Sequence, residues 1–169
     1  MRLLFIGDSL IENFDWQERF PKNVVYNMGV SGETVDGLYA RIEVVYSQIE
    51  EADAVFIMSG INNIAMGDRT FVPVYRKVVR GLQEHYTSSR IFVQSLLPVL
   101  FPWISNDEIR EMNRQLKKMA EEEHVIYLDI HSLLLEEGEK TVKAYLMDDG
   151  VHVSEKGYSV WSGEIEKYL

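Results

Sequence analysis

Five short apolar runs punctuate the chain: Leu3–Ile6, Val24–Met28, Ala54–Met58, Ile91–Leu96 and Val125–Leu128. Each is near-continuous rather than alternating, which is how strands covered on both faces read. Between the runs the period changes. Asp107–Glu123 sets Ile109, Met112, Leu116, Met119 and Ala120 on one helical face, and Thr34–Ile49 does the same with Leu38, Ile42, Val45, Tyr46 and Ile49. Val72–Tyr86 and Glu155–Leu169 follow the helical period less cleanly. Strand and helix in alternation predict an α/β fold, a parallel sheet with helices on both faces in three α/β/α layers. No repeat, low-complexity stretch or linker interrupts the pattern, so residues 1–169 are expected to form one domain.

Composition narrows the function classes. The chain is 46% hydrophobic and 26% charged, ordinary for a globular protein. No run of 18 apolar residues is present, so no membrane span is expected. At the N-terminus one Arg precedes four apolar residues, too few for the apolar core of a signal peptide. A cytoplasmic location is the expectation, although a chain with its export signal removed would read the same. Cysteine is absent, which excludes disulfides and thiolate metal sites. The net charge of −10 argues against nucleic acid or an anionic membrane as the partner. Oligomeric state is not legible, and Phe14 and Trp16, expected to be exposed, could line either a pocket or a subunit contact.

Candidate chemistry gathers at the carboxyl ends of the strands, where open α/β sheets bind ligands. Gly7-Asp8-Ser9-Leu10 follows the first strand and places a serine where the chain turns. A serine hydroxyl needs a base to act as a nucleophile, usually a His oriented by a carboxylate. Two pairs compete. Asp149 and His152 are three apart, close in a turn or a first helical turn. Asp129 and His131 are two apart after the fifth strand, where Asp129 also suits helix capping. His85 and His124 lie at the ends of charged helical stretches and read as surface residues. Donors for a developing oxyanion could come from the glycine-bearing loop 27–34 and from an Asn in Ser59-Gly60-Ile61-Asn62-Asn63. The Pro-containing segment Pro98–Asn106 puts Phe101 and Trp103 at the same edge, as a substrate wall or as a cover for the core.

Taken in order, these segments resemble the GDSL or SGNH hydrolase family. Gly7-Asp8-Ser9-Leu10 matches its first block, Gly32 the glycine of the second, Gly60-Ile61-Asn62-Asn63 the third, and Asp149-Gly150-Val151-His152 the last. The third block of the family ends in Asp where this chain has Asn63. The resemblance implies the flavodoxin-like SGNH fold with five parallel strands. It also implies a carboxylic ester hydrolase that needs no metal or cofactor and settles the histidine in favour of His152. Ser9 is then the nucleophile, with Asp149 and His152 completing the triad. The Ser9 and Gly32 N–H groups and the Asn62 amide form the oxyanion hole. Substrates of the family include short-chain esters, lysophospholipids, platelet-activating-factor-type acetyl esters and acetylated sugars. The short chain without an evident lid insertion points to a small acyl group such as acetyl.

Two other readings compete. A non-catalytic carbohydrate- or ligand-binding protein of the same fold has no need of a proton relay. A nucleotide-binding domain would place a phosphate loop at Gly29–Gly32. No Walker-type Lys follows those glycines, however, and no G-x-G-x-x-G follows the first strand.

Overall fold

The computed structural model describes residues 1–135 and 139–169. Its centre is a parallel sheet of β1 (Arg2–Gly7), β2 (Val24–Gly29), β3 (Ala54–Met58), β4 (Arg90–Gln94) and β5 (Ile126–Leu128), in the order β2-β1-β3-β4-β5. The apolar runs form these strands. The three inner ones are closed on both faces, and Leu3 to Ile6 and Ala54 to Ile57 have no exposure at all. The expectation of double coverage fails for β2 and β5, because they lie at the two edges of the sheet. Val24 of β2 is 52% exposed and Ile126 of β5 36%. The fourth strand also ends two residues early. Beyond Gln94, the Leu96 backbone leaves the ladder to exchange two hydrogen bonds with the Asn113 side chain, at 2.8 and 2.9 Å.

The long amphipathic segments become α3 (Val35–Gln48), α5 (Val72–His85) and α6 (Asn106–Glu122) on one face of the sheet. On the other face pack α1 (Ser9–Glu12), α2 (Trp16–Arg19) and α9 (Glu155–Glu166). Short helices α4 (Ile61–Ala65) and α7 (Ile130–Leu133) follow β3 and β5, and α8 (Glu139–Tyr145) precedes α9. This is the three-layer SGNH-type α/β/α fold.

Register explains how the inner face is filled. Phe5, Phe56 and Phe92 face one another across β1, β3 and β4. Their rings stack at 5.0 and 4.6 Å, and Trp16 stacks on Phe5 at 4.2 Å. Trp16 is therefore a core residue, 1% exposed, and not the surface aromatic that the sequence suggested. Such pairs add about 0.5–1.5 kcal/mol each beyond burial. They anchor α2 and, through Trp161, α9 to β1, the strand that leads into Ser9.

Candidate active site

Connections leave β1 in one direction and β3 in the other, so the topological switch point lies between these two strands. Ser9 sits at that point. Asp8 caps α1 by accepting the Leu10 N–H on Oδ1 at 3.0 Å, which makes Ser9 the first helical residue and leaves its own N–H outside the helical ladder. Asp8 itself is fully buried, and its Oδ2 has no hydrogen-bond partner among the described residues. Burial pushes this carboxyl up to about 7, against the opposing pull of the Leu10 N–H.

The last block arrives from the far end of the chain. Leu146 and Val153 pair as an antiparallel bridge that closes a turn, in which the Met147 N–H donates to the His152 carbonyl at 2.7 Å. Gly150 permits the turn: its φ is +72°, and a Cβ there would lie 2.7 Å from the Leu100 carbonyl oxygen. Within the turn Asp149 Oδ1 accepts the N–H groups of Val151 and His152, each at 2.9 Å. Asp149 Oδ2 lies 2.7 Å from His152 Nδ1. The Val151 N–H is the largest cause holding the Asp149 carboxyl down at about 2, with the His152 bonds adding to it. A carboxylate can only accept, so Nδ1 carries the proton and Nε2 is left as an acceptor. That Nε2 lies 3.1 Å from Ser9 Oγ. Hydroxyl, imidazole and carboxylate thus form one continuous chain, a geometry suited to drawing a proton off the hydroxyl.

The predicted oxyanion donors are held by their own contacts. Gly32 has φ +76° and open space where a Cβ would stand. Its N–H has no protein partner among the described residues. Neighbours on both sides fix this loop. Ser31 donates its N–H to Glu12 Oε2 at 2.8 Å, and Glu33 pairs with Arg41, whose guanidinium also donates to the Met28 carbonyl at 2.8 Å. Asn62 donates one amide proton to the Glu33 carbonyl at 2.9 Å. The bond joins the loops after β2 and β3 and leaves the second amide proton available.

Asn63, the departure from the family pattern, has a defined network. Its Oδ1 accepts the Val35 N–H at 2.9 Å, at the start of α3. Its Nδ2 donates to Asp68 at 2.8 Å and faces Asp36 at 3.4 Å. An amide is the right group between two carboxylates, where a third carboxylate would be repelled.

The rival histidine is placed elsewhere. His131 lies within α7, 4% exposed, and its backbone N–H donates to Ser95 Oγ at 2.8 Å. Asp129 caps α7 through Ser132, at 3.0 Å to the N–H and 2.7 Å to the hydroxyl. No hydrogen bond joins Asp129 to the His131 ring among the described residues. His85 and His124 are exposed, as expected, although His85 also stacks on Tyr46 at 4.2 Å. Phe101 packs in part against the core and meets Trp103 edge to face at 4.3 Å, while Trp103 is 69% exposed. Their loop is fastened to the Asp149–His152 turn by the Leu100 N–H, 2.7 Å from the Gly150 carbonyl. Trp103 therefore does not cover the core. Phe14 stacks on Tyr158 at 4.3 Å.

Sequence reasoning passed over Glu12, Arg41 and Asp68. Glu12 carried a signal, since it stands three residues after Ser9 on the turn expected there. Arg41 and Asp68 carried none, because their roles depend on loops that only the folded sheet brings together.

The fold is similar to those of solved structures of low sequence identity. A Streptococcus pneumonia protein, provisionally described as a platelet activating factor, matches with a TM-score of 0.88 and 23% identity over 98% of this chain and 82% of that one. Axe2, an acetylxylan esterase from Geobacillus stearothermophilus, matches with a TM-score of 0.78 and 23% identity, covering 98% and 92%. A GDSL-like lipase from Bacteroides thetaiotaomicron VPI-5482 matches with a TM-score of 0.73 and 19% identity, covering 99% and 86%. These likenesses speak to the fold. No curated protein matches the sequence. The sequence does match the GDSL-like Lipase/Acylhydrolase family over residues 5–160, nearly its full length, and the chain belongs to that family.

Proposed function

We propose that this protein is a serine esterase that cleaves carboxylic esters through an acyl-enzyme. The observation that carries the reading is the unbroken chain from Ser9 Oγ through His152 to Asp149, at 3.1 and 2.7 Å. A module that only bound ligand would have no use for a hydroxyl so coupled to a base.

In the first half-reaction Ser9 Oγ bonds to the ester carbonyl carbon as its proton passes to His152 Nε2. Asp149 steadies the imidazolium that forms. The carbonyl oxygen, now negative, is met by the N–H groups of Ser9 and Gly32 and by the free amide proton of Asn62. The bond to the alcohol oxygen then breaks, and His152 returns the proton to the departing alcohol. In the second half-reaction water gives a proton to His152 and attacks the acyl-Ser9 carbonyl. Collapse of that intermediate releases the acid and restores the Ser9 hydroxyl.

The acyl group is small, of the acetyl type, and the alcohol is a lipid, a sugar or a small molecule. The exposed ring of Trp103, with Phe101 beside it, forms a wall for the alcohol part, next to the turn that holds His152. The likeness to Axe2, an acetylxylan esterase, supports an acetyl ester. All of residues 1–169 act as one catalytic domain.

A fluorophosphonate probe tests the proposal. Mass spectrometry should find one adduct, on Ser9, and the Ser9→Ala and His152→Ala chains should carry none. An unlabelled wild-type chain that still binds acetylated oligosaccharide would instead make this a binding member of the family.

A further inference from the structure

A cavity of about 440 Å³ opens on the flank of the sheet, and none of Ser9, Asp149 and His152 lines it. It runs between α6 and the end of β5, whose outer edge pairs with no strand. Arg110, Arg114 and Lys117 line it from α6. Spaced at i, i+4 and i+7, they form one stripe about 10 Å long on a helix. Three cations lining one cavity invert the local charge of a chain whose net charge is −10.

Their existing partners leave them available. Arg110 and Arg114 pair with Asp107 and Glu111 one turn back, both half or more solvent-exposed or close to it, and such surface pairs are weak. Lys117 has no acidic partner among the described residues. Asp129, the acid that lines the cavity, is engaged with Ser132 as the cap of α7.

A second observation points to a ligand. His131 lines the same cavity, is 4% exposed, and has an Nε2 that is buried without a hydrogen-bond partner among the described residues. Leaving such an atom unsatisfied is costly. The catalytic relay makes no use of this ring.

We infer that the cavity bounded by Arg110, Arg114, Lys117 and His131 is a binding site for a small oxyanion carrying phosphate or carboxylate groups. The guanidinium forks suit a tetrahedral or planar oxyanion, Lys117 adds a point charge, and His131 supplies a hydrogen bond from the floor.

Calorimetric titration of the full chain with inorganic pyrophosphate tests this site. Saturable one-to-one binding is expected, weakening as sodium chloride is added. The double variant Arg114→Gln, Lys117→Gln should bind at least about tenfold more weakly, the loss of two charged contacts. His131→Phe should weaken binding severalfold. Turnover of a neutral aryl acetate should stay unchanged in the double variant, which shows that the fold and the Ser9 site are intact. The anion's source is read from a second ester whose alcohol carries a carboxylate. A higher KM for that ester alone in the double variant marks the anion as part of the substrate. Unchanged KM values alongside weakened pyrophosphate binding mark a free anion. Heats that never saturate, or a double variant that binds pyrophosphate like the wild type, overturn the site.

Discussion

Ser9 Oγ and His152 Nε2 stand 3.1 Å apart although 143 residues separate them in the chain. As proposed, the pair works as a unit, so its removal should not be additive. Ser9→Ala should lower kcat on p-nitrophenyl acetate by roughly 10³-fold or more. Adding His152→Ala to that chain should lower it little further. A Ser9→Ala enzyme with near-normal turnover would remove Ser9 from the mechanism.

Asn62 lies half-buried with one amide proton on the Glu33 carbonyl and one free. Asn62→Ala should cost roughly 10²–10³ in kcat, with KM changed far less, if Asn62 is the proposed oxyanion donor, which acts in the transition state. Equal losses in binding and turnover would point instead to collapse of the loop. Thermal melting of the variant separates the two.

Asn63 donates towards both Asp68 and Asp36. Asn63→Asp restores the family's residue but sets three carboxylates together. Their mutual repulsion raises carboxyl pKa values in the folded state, so the penalty is present at neutral pH and fades as pH falls towards the carboxylate range. The expected loss is about 1–3 kcal/mol at neutral pH. Melting curves from pH 4 to 8 should show the variant and the wild type converging on the acid side; a gap of constant size across that range refutes the repulsion.

Asp8 is the buried carboxyl beside Ser9, raised from 3.8 to about 7. Between those values the folded chain keeps a proton that the unfolded chain releases. Stability from this site is therefore greatest below the unfolded value, falls as pH rises through the window, and levels off above about 7. Asp8→Asn keeps an acceptor for the Leu10 N–H and removes the titration. It should melt near the wild type at pH 4 and several degrees higher at pH 8, a gain of a few kcal/mol. Parallel melting profiles would show that Asp8 does not titrate in this window.

Gly150 combines a positive φ with a close approach to Leu100. Gly150→Ala should strain the turn by about 1–2 kcal/mol before any clash is counted. Its main effect should fall on kcat, since the turn aims His152 at Ser9. Melting and kinetics measured together check the ratio; a variant that melts lower but turns over normally would detach the turn's shape from the chemistry.

Local pattern made much of the fold legible. The apolar runs at Leu3–Ile6 and Ala54–Met58 and the helical face from Ile109 to Ala120 each carry their period in consecutive residues and are buried as that period implies. Edges were harder to see, because Val24 and Ile126 are as apolar as central residues and only strand order exposes them. Trp16 misled for the opposite reason. It stands in a short polar helix yet stacks on Phe5, a contact that depends on how α2 folds back over β1.

The sequence by itself determined the alternation of strands and helices, and the four blocks that place Ser9, Gly32, Asn62, Asp149 and His152 at one edge of a sheet. Backbone period and turn residues are properties of neighbours, so they can be read in order along the chain. Only the tertiary structure decided how closely His152 approaches Ser9, what supports the Gly32 loop through Glu12 and Arg41, and how Asn63 is satisfied. Those contacts join segments tens to more than a hundred residues apart. Their energies depend on distances of about 3 Å that exist only once the sheet has brought the loops together.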